Sequence, residues 1–399
     1  MRPVRTPGIH TSLIEPPSML KTALHQFHVD HQATMVEFAG WEMPVAYKGP
    51  SGGVLKEHEA TRTSGGLFDV SHMGRVKFTG RHARRLLERL CTRRISDMAP
   101  GQCRYSLACN EQGGVHDDII VYRIDDDDFM VVVNAGNREK MLKHFEAVRA
   151  AGDLTCKIDD QTMSTSMVAL QGPKVMDLVS KVSREIPTLK RYRFAVKNLV
   201  VMKIIVSRTG YTGEDGVEVI LPNAAVNMGL KLLLKDAGLE QADGIVKPCG
   251  LAARDTLRME AGMPLYGHEL GEEINALSCG VDFAMSLEKH TMERGEPFVG
   301  QEALLKTRDS GGPARRLVGF ALEGKRTARQ GMKILAGGKE VGVVSSACLS
   351  PTLGFPIGMG FVDRALAGDG APVQIDTRKD SVLEGTTRKL PFYNPTRGA

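Results

Sequence analysis

The stretch Gly113–Asn134, GGVHDDIIVYRIDDDDFMVVVN, restricts the possible folds of this chain more than any other. Asp118–Ile124 is a run of β-branched and apolar residues behind one acid, and Phe129–Val133 is a second such run. Four aspartates, Asp125–Asp128, separate them. Strong strand formers flanking a short polar break fold as an antiparallel hairpin. The like-charge run prefers water and reads as a solvated turn. Closing the chain about the middle of that break sets Asp118 opposite Asn134, and directly opposed residues lie about 5 Å apart. A carboxylate and a carboxamide then face one spot at the open end of the hairpin. Gly113 and Gly114 just before it permit a close approach of backbone or ligand. Two readings stay open here. The pair is either a site or two ordinary polar strand ends, which a one-residue slip in register would separate.

A chain of 399 residues is long for one domain, so two or three are expected. Hydrophobic residues make up 42%, an ordinary globular share, and no apolar run approaches the ~20 residues of a membrane helix. The net charge of +5 is mild, and Lys and Arg are interspersed with Asp and Glu. That argues against nucleic acid as the main partner and allows an acidic one. Seven cysteines, at 91, 103, 109, 156, 249, 279 and 348, form no CxxC pair. An odd count suits a reducing compartment, with the thiols as small buried residues. Residues 1–18 carry Pro3, Pro7, Pro16 and Pro17 and no apolar core, so they read as a loose arm and not a secretory signal. The prolines also oppose the amphipathic helix of a transit peptide. Bacterial cytoplasm is therefore expected, with the mitochondrial matrix second.

Short helices are expected over Lys21–His31, Arg81–Leu90, Glu139–Ala150, 174–182, 223–238 and 250–262. A second hairpin joins Leu199–Ser207 to Val217–Leu221 around the glycine-rich loop Arg208–Gly216, with Glu218 pointing away from Val217 and Val219. It echoes the first hairpin: a glycine turn, then a strand with one acid among β-branched neighbours. Arg254 and Arg258 stand one turn apart on one helix face. His72 is tempting as a base, but beside Val70 and Met73 it reads as a packed structural residue. His58 reads as a surface helix residue. After SGGP at 310–313 the texture changes to short strands, Leu317–Leu322, Lys333–Leu335, Val341–Ser345, Met359–Val362 and Val373–Ile375, the pattern of a small β-barrel or sandwich.

No GxxxxGK[ST], HExxH or GxSxG occurs, and GYTGEDG lacks the βαβ setting of a dinucleotide fingerprint. What remains is isolated acids, one carboxamide and paired arginines on glycine-flanked strands and a helix. Carboxylates accept N–H bonds from an aminopyrimidine edge, and arginines hold carboxylates bidentately. The residues alone thus reach binding of a charged small molecule and no further.

FAGWEMPVAY, GLFDVSHMG, NEQGGVHDDIIVY, VVNAGN, LQGP, SRTGYTGEDGVEV and GLAARDTLRMEAGMPLYGHEL, in this order, resemble the aminomethyltransferase (T-protein) family of the glycine cleavage system, from about Met19 to Tyr393. The resemblance implies an α+β fold with two folate-binding antiparallel α+β domains and a small C-terminal β-barrel around a central hole. The divisions would be a 1–18 arm, a 19–312 folate-binding region of two subdomains and a 313–399 barrel. It implies transfer of a one-carbon unit from the aminomethyl-lipoyl arm of H-protein to tetrahydrofolate, with release of ammonia. Tetrahydrofolate would be a co-substrate, with no metal and no flavin; lipoylated H-protein would be the partner, with no nucleic acid and no membrane. By motif position, Asp118 matches the catalytic aspartate. Tyr105, Val132, Asn134, Tyr211, Glu218 and Arg254 match the folate-binding set. The C-terminal PFYNPTRGA departs from relatives that carry aromatic residues after PF, and Tyr393 stands as a substitute. A folate-dependent demethylase, or a non-catalytic folate-binding protein of the same fold, remains the alternative.

Overall fold

A computed structural model describes residues 19–49, 52–199, 202–234, 244–377 and 381–395; the expected arm over 1–18 lies outside them. The first hairpin forms as its pattern requires. Val115–Asp125 pairs with Asp128–Val133, with Ile120 opposite Val132 and Tyr122 opposite Met130. Two residues further, the same register carries Asp118 to Asn134. The Asp126 side chain in the turn is 83% exposed. Gln102–Cys109 adds on one side, and Gly74–Thr79 then Lys157–Asp160 on the other, making a five-stranded antiparallel sheet. Side chains alternate across a strand. Ile119, Val121, Phe129, Val131 and Val133 therefore pack beneath helices Ala83–Leu90 and Arg138–Ala151. Tyr122, Met130 and Val132 face the opposite way, into a core shared with a second sheet.

The second sheet runs Phe194–Leu199, Met202–Ser207, Gly216–Pro222, Thr165–Gln171, Gly66–Asp69, Lys247–Cys249. Only the last pair is parallel. Val217, Val219 and Leu221 pack toward helices Val175–Ser180 and Asn223–Leu234, while Ile220 joins the core between the sheets. The expected strand Leu199–Ser207 is in fact two: Leu199 ends one, Met202 begins the next, and residues 200–201 lie outside the description. Gly66–Asp69 precedes every strand of the first sheet in sequence yet sits in the second. The two α+β units are therefore interwoven, not arranged in tandem.

Six strands close a barrel in the order Arg315–Leu322, Pro356–Asp363, Lys339–Leu349, Lys333–Ala336, Pro372–Asp376, Val382–Arg388. The last, VLEGTTR, has no apolar run, so only its pairing with Arg315–Leu322 and Pro372–Asp376 makes it a strand. Helix Leu251–Glu260 ties the layers together. Arg258, 1% exposed, donates to Glu269 Oε2 (2.9 Å) and, on the barrel, to Ser346 Oγ (3.0 Å).

His58 is not on the surface. On helix Val54–Thr63 it is 1% exposed, 2.8 Å from Thr256 Oγ1 and 2.9 Å from Thr352 Oγ1, with Glu260 Oε2 at 3.2 Å. The inward face of this helix is Glu57, His58 and Thr61. A buried face made of mutually satisfied polar groups leaves no apolar periodicity to read.

Candidate active site

A cavity of about 680 Å³ opens where the two sheets, helix Leu251–Glu260 and the barrel's C-terminal segment meet. It lies within the range of small-molecule sites. Tyr105, Asp118, Val132 and Asn134 line it from the first sheet, and Tyr211, Glu218 and Arg254 from the other side. The seven residues singled out in the sequence thus stand on one wall system. Leu390 and Pro391 reach it from the C-terminus. Tyr393 does not; its ring lies over the Arg62 guanidinium, 4.3 Å from it.

The open end of the hairpin is a hydrogen-bonded array. Asn134 Nδ2 donates to Asp118 Oδ1 at 2.6 Å and to Asp117 Oδ1 at 2.8 Å. Tyr105 Oη donates to Asp118 Oδ2 at 3.2 Å. Asp117 also accepts from the Asn134 backbone N–H (3.0 Å) and from Asn137 Nδ2 (2.7 Å). Burial raises Asp118 to about 6, with the Asn134 and Tyr105 hydrogen bonds pulling the other way. Burial, and then the charge of Asp118, raise Asp117 further, while the N–H groups of Asn134 and Asn137 favour its ionised form. Asp118 is the member of the pair that faces the cavity. Gly114 opens this strand against backbone: an added Cβ would stand 1.8 Å from Glu272 O.

Across the cavity, Glu218 is buried between Ser207 and Ala169 of the neighbouring strands and accepts from Thr209 Oγ1. Burial raises its carboxyl above the usual range, and Thr209 and Arg254 oppose the shift. The Arg254 guanidinium lies over the Tyr211 ring at 4.7 Å, and its Nη1 has no hydrogen-bond partner among the described residues. Tyr211 is held in turn by its hydroxyl donating to Pro264 O. An unsatisfied buried guanidinium N–H is costly, and a ligand acceptor relieves that cost.

His72 is both packed and on the wall. It is 3% exposed, edge-on to Phe38 at 5.5 Å between centroids, and it lines the cavity. Its Nδ1 has no partner among the described residues. Burial holds it neutral, at about 4, with Asp69 opposing and the Arg254 and Arg75 cations assisting. Sequence reasoning missed Asp117 and Asn137 as parts of the array, and missed the aromatic walls Phe38, Tyr192 and Phe283. Only Asp117 carried a signal, as the first acid of the pair. Tyr192 takes φ +60, unfavourable for a bulky residue, and is held by Tyr192 N–H to Arg208 O and Cys103 N–H to Tyr192 O, both 3.0 Å.

Residues 24–289 match the model of the GCVT N-terminal domain, and residues 315–394 that of the glycine cleavage T-protein C-terminal barrel domain. The chain is 45% identical to an aminomethyltransferase of Rubrobacter xylanophilus, covering 95% of this chain and 96% of that one. It is 40% identical to an aminomethyltransferase of Chlorobium phaeovibrioides, covering 94% and 99%. The crystal structure of glycine cleavage system aminomethyltransferase T from Bartonella henselae superimposes with a TM-score of 0.84 at 30% identity, covering 95% of this chain and 99% of that one. With both family models matched in order, and relatives aligned over nearly the full length, this chain belongs to the aminomethyltransferase, or glycine cleavage T-protein, family.

Proposed function

We propose that this chain moves the one-carbon unit of an aminomethyl-lipoyl arm, carried by H-protein, to tetrahydrofolate, yielding 5,10-methylenetetrahydrofolate, ammonia and the dihydrolipoyl arm. The observation that carries this reading is a carboxyl group, Asp118, fixed by Asn134 and Tyr105 inside a cavity of ligand size. Positive charge develops at the one-carbon centre as ammonia leaves. A preorganised anion there stabilises it without reorganising. Glu218 supplies acceptors for ring N–H groups, and the unused Nη1 of Arg254 supplies a donor. Tyr105 and Val132 give the apolar walls for a flat ring, and Tyr211 holds the Arg254 guanidinium in place. The cavity shields the meeting of arm and folate from bulk water. A net charge of +5 favours an acidic partner.

The test is turnover with tetrahydrofolate and aminomethyl-lipoylated H-protein, following ammonia and methylenetetrahydrofolate. H-protein-dependent formation of both products is expected. Folate binding with no turnover on that donor would sink the transferase reading.

A further inference from the structure

The proposed chemistry uses one acid of the Asp117–Asp118 pair. Asp117 is fully buried and does not line the cavity. Its partners show its task. A carboxamide nitrogen carries two N–H groups. On Asn134 one goes to Asp117 Oδ1 and the other to Asp118 Oδ1. Turning the amide over would set its oxygen against two carboxyl oxygens and lose both bonds, so the orientation is unique. Asp117 is itself held by Asn137 Nδ2 and the Asn134 backbone N–H. With both N–H groups engaged, Asn134 offers the cavity only its oxygen.

We propose that Asp117 is a positioning residue that fixes Asn134 with its amide oxygen toward the cavity. The amide oxygen of Asn134 thereby reads a ring N–H and selects a reduced, tetrahydro pterin over the fully oxidised one. This rests on the folate reading above. The reduced ring carries N–H groups at positions 5 and 8, where the oxidised ring carries bare accepting nitrogens. An acceptor facing an acceptor leaves both unsatisfied, at a cost on the order of tenfold or more in affinity.

The test is anaerobic calorimetric titration of the full chain with tetrahydrofolate and with folic acid. The readout is the ratio of the two dissociation constants, which a general loss of folded protein does not move. In Asp117→Ala both carboxyl acceptors are gone and the Asn134 amide is free to turn, so the preference for the reduced form falls about tenfold, mostly by weakening tetrahydrofolate. An unchanged ratio in Asp117→Ala overturns the proposal. Should that variant not fold, the wild type is titrated with 5-deazatetrahydrofolate, which has carbon in place of one ring N–H. Binding about tenfold weaker than tetrahydrofolate supports the proposal, and equal binding overturns it. A wild type that binds neither folate overturns the folate reading and this inference together, a result distinct from tight binding without selectivity.

Discussion

Asp118→Asn removes a charge and little else. The carboxamide oxygen accepts from Asn134 Nδ2 as Oδ1 now does at 2.6 Å, and the amide NH₂ replaces Oδ2 beside Tyr105 Oη, now at 3.2 Å, with the phenol turning from donor to acceptor. Asn134 and Tyr105 each keep one hydrogen bond to the side chain, and the volume is unchanged. Affinity for tetrahydrofolate should therefore stay within about threefold, because the side chain keeps its shape and a bond to each neighbour. Turnover should not. A unit charge about 4 Å from a developing cation contributes about 4 kcal/mol at an effective dielectric of 20, which is about 1,000-fold in kcat. The pH profile supplies a second readout. Burial raises Asp118 to about 6, so wild-type turnover should rise with pH through that value and level off above it, and the variant should lack this limb. Stability should move the other way. The folded carboxyl titrates above its unfolded value, so between pH 3.8 and about 6 the native chain holds the extra proton. The cost of burying the charge grows across that window and is complete above it. A neutral amide removes this cost, and the variant should melt no lower than the wild type at pH 7 to 8. A loss in kcat of less than tenfold, or a surviving limb near pH 6, would refute the reasoning.

Glu218→Gln keeps the shape but turns one acceptor into a donor. Tetrahydrofolate binding, measured by titration, should weaken about tenfold with a smaller change in kcat. Glu260 is buried beneath His58, Arg62, Ser350 and Thr352. Burial alone would raise its carboxyl, but His58, Ser350 and Arg62 bring it down to about 2. Its stabilisation is therefore present above pH 4.5 and lost as the pH falls through about 2. Glu260→Gln should cost about 3–5 kcal/mol by thermal or urea unfolding, and should remove that acid-side loss. Gly114→Ala sets a Cβ 1.8 Å from Glu272 O and 2.7 Å from Glu272 C, both backbone atoms with no side chain to yield. Destabilisation of about 2–3 kcal/mol is expected, with weaker folate binding, and a variant that melts like the wild type would mean the 272 backbone is free to move.

The elements legible from sequence were those whose cause lies within a few residues. Period-two alternation and a polar turn set the register that brings Asp118 to Asn134, since a slip of one would turn five residues away from the helices they pack beneath. The same alternation put Glu218 opposite Val217 and Val219, and even spacing of short strands announced a small barrel or sandwich. The family resemblance added Tyr105, Val132 and Tyr211, whose neighbours in sequence gave no chemistry of their own. What tertiary structure alone decided depends on residues far apart. The placement of Gly66–Asp69 between 165–171 and 247–249 interweaves the two sheets, and a pairing across that distance has no local signal. His58 was misread because its partners, Thr256, Glu260 and Thr352, come from a distant helix and from the barrel. Val382–Arg388 became a strand only because a barrel edge needed closing. Asp117 and Asp118 are indistinguishable as a dipeptide. Alternation and the cavity separate them, sealing one against Asn134 and leaving the other on the cavity wall.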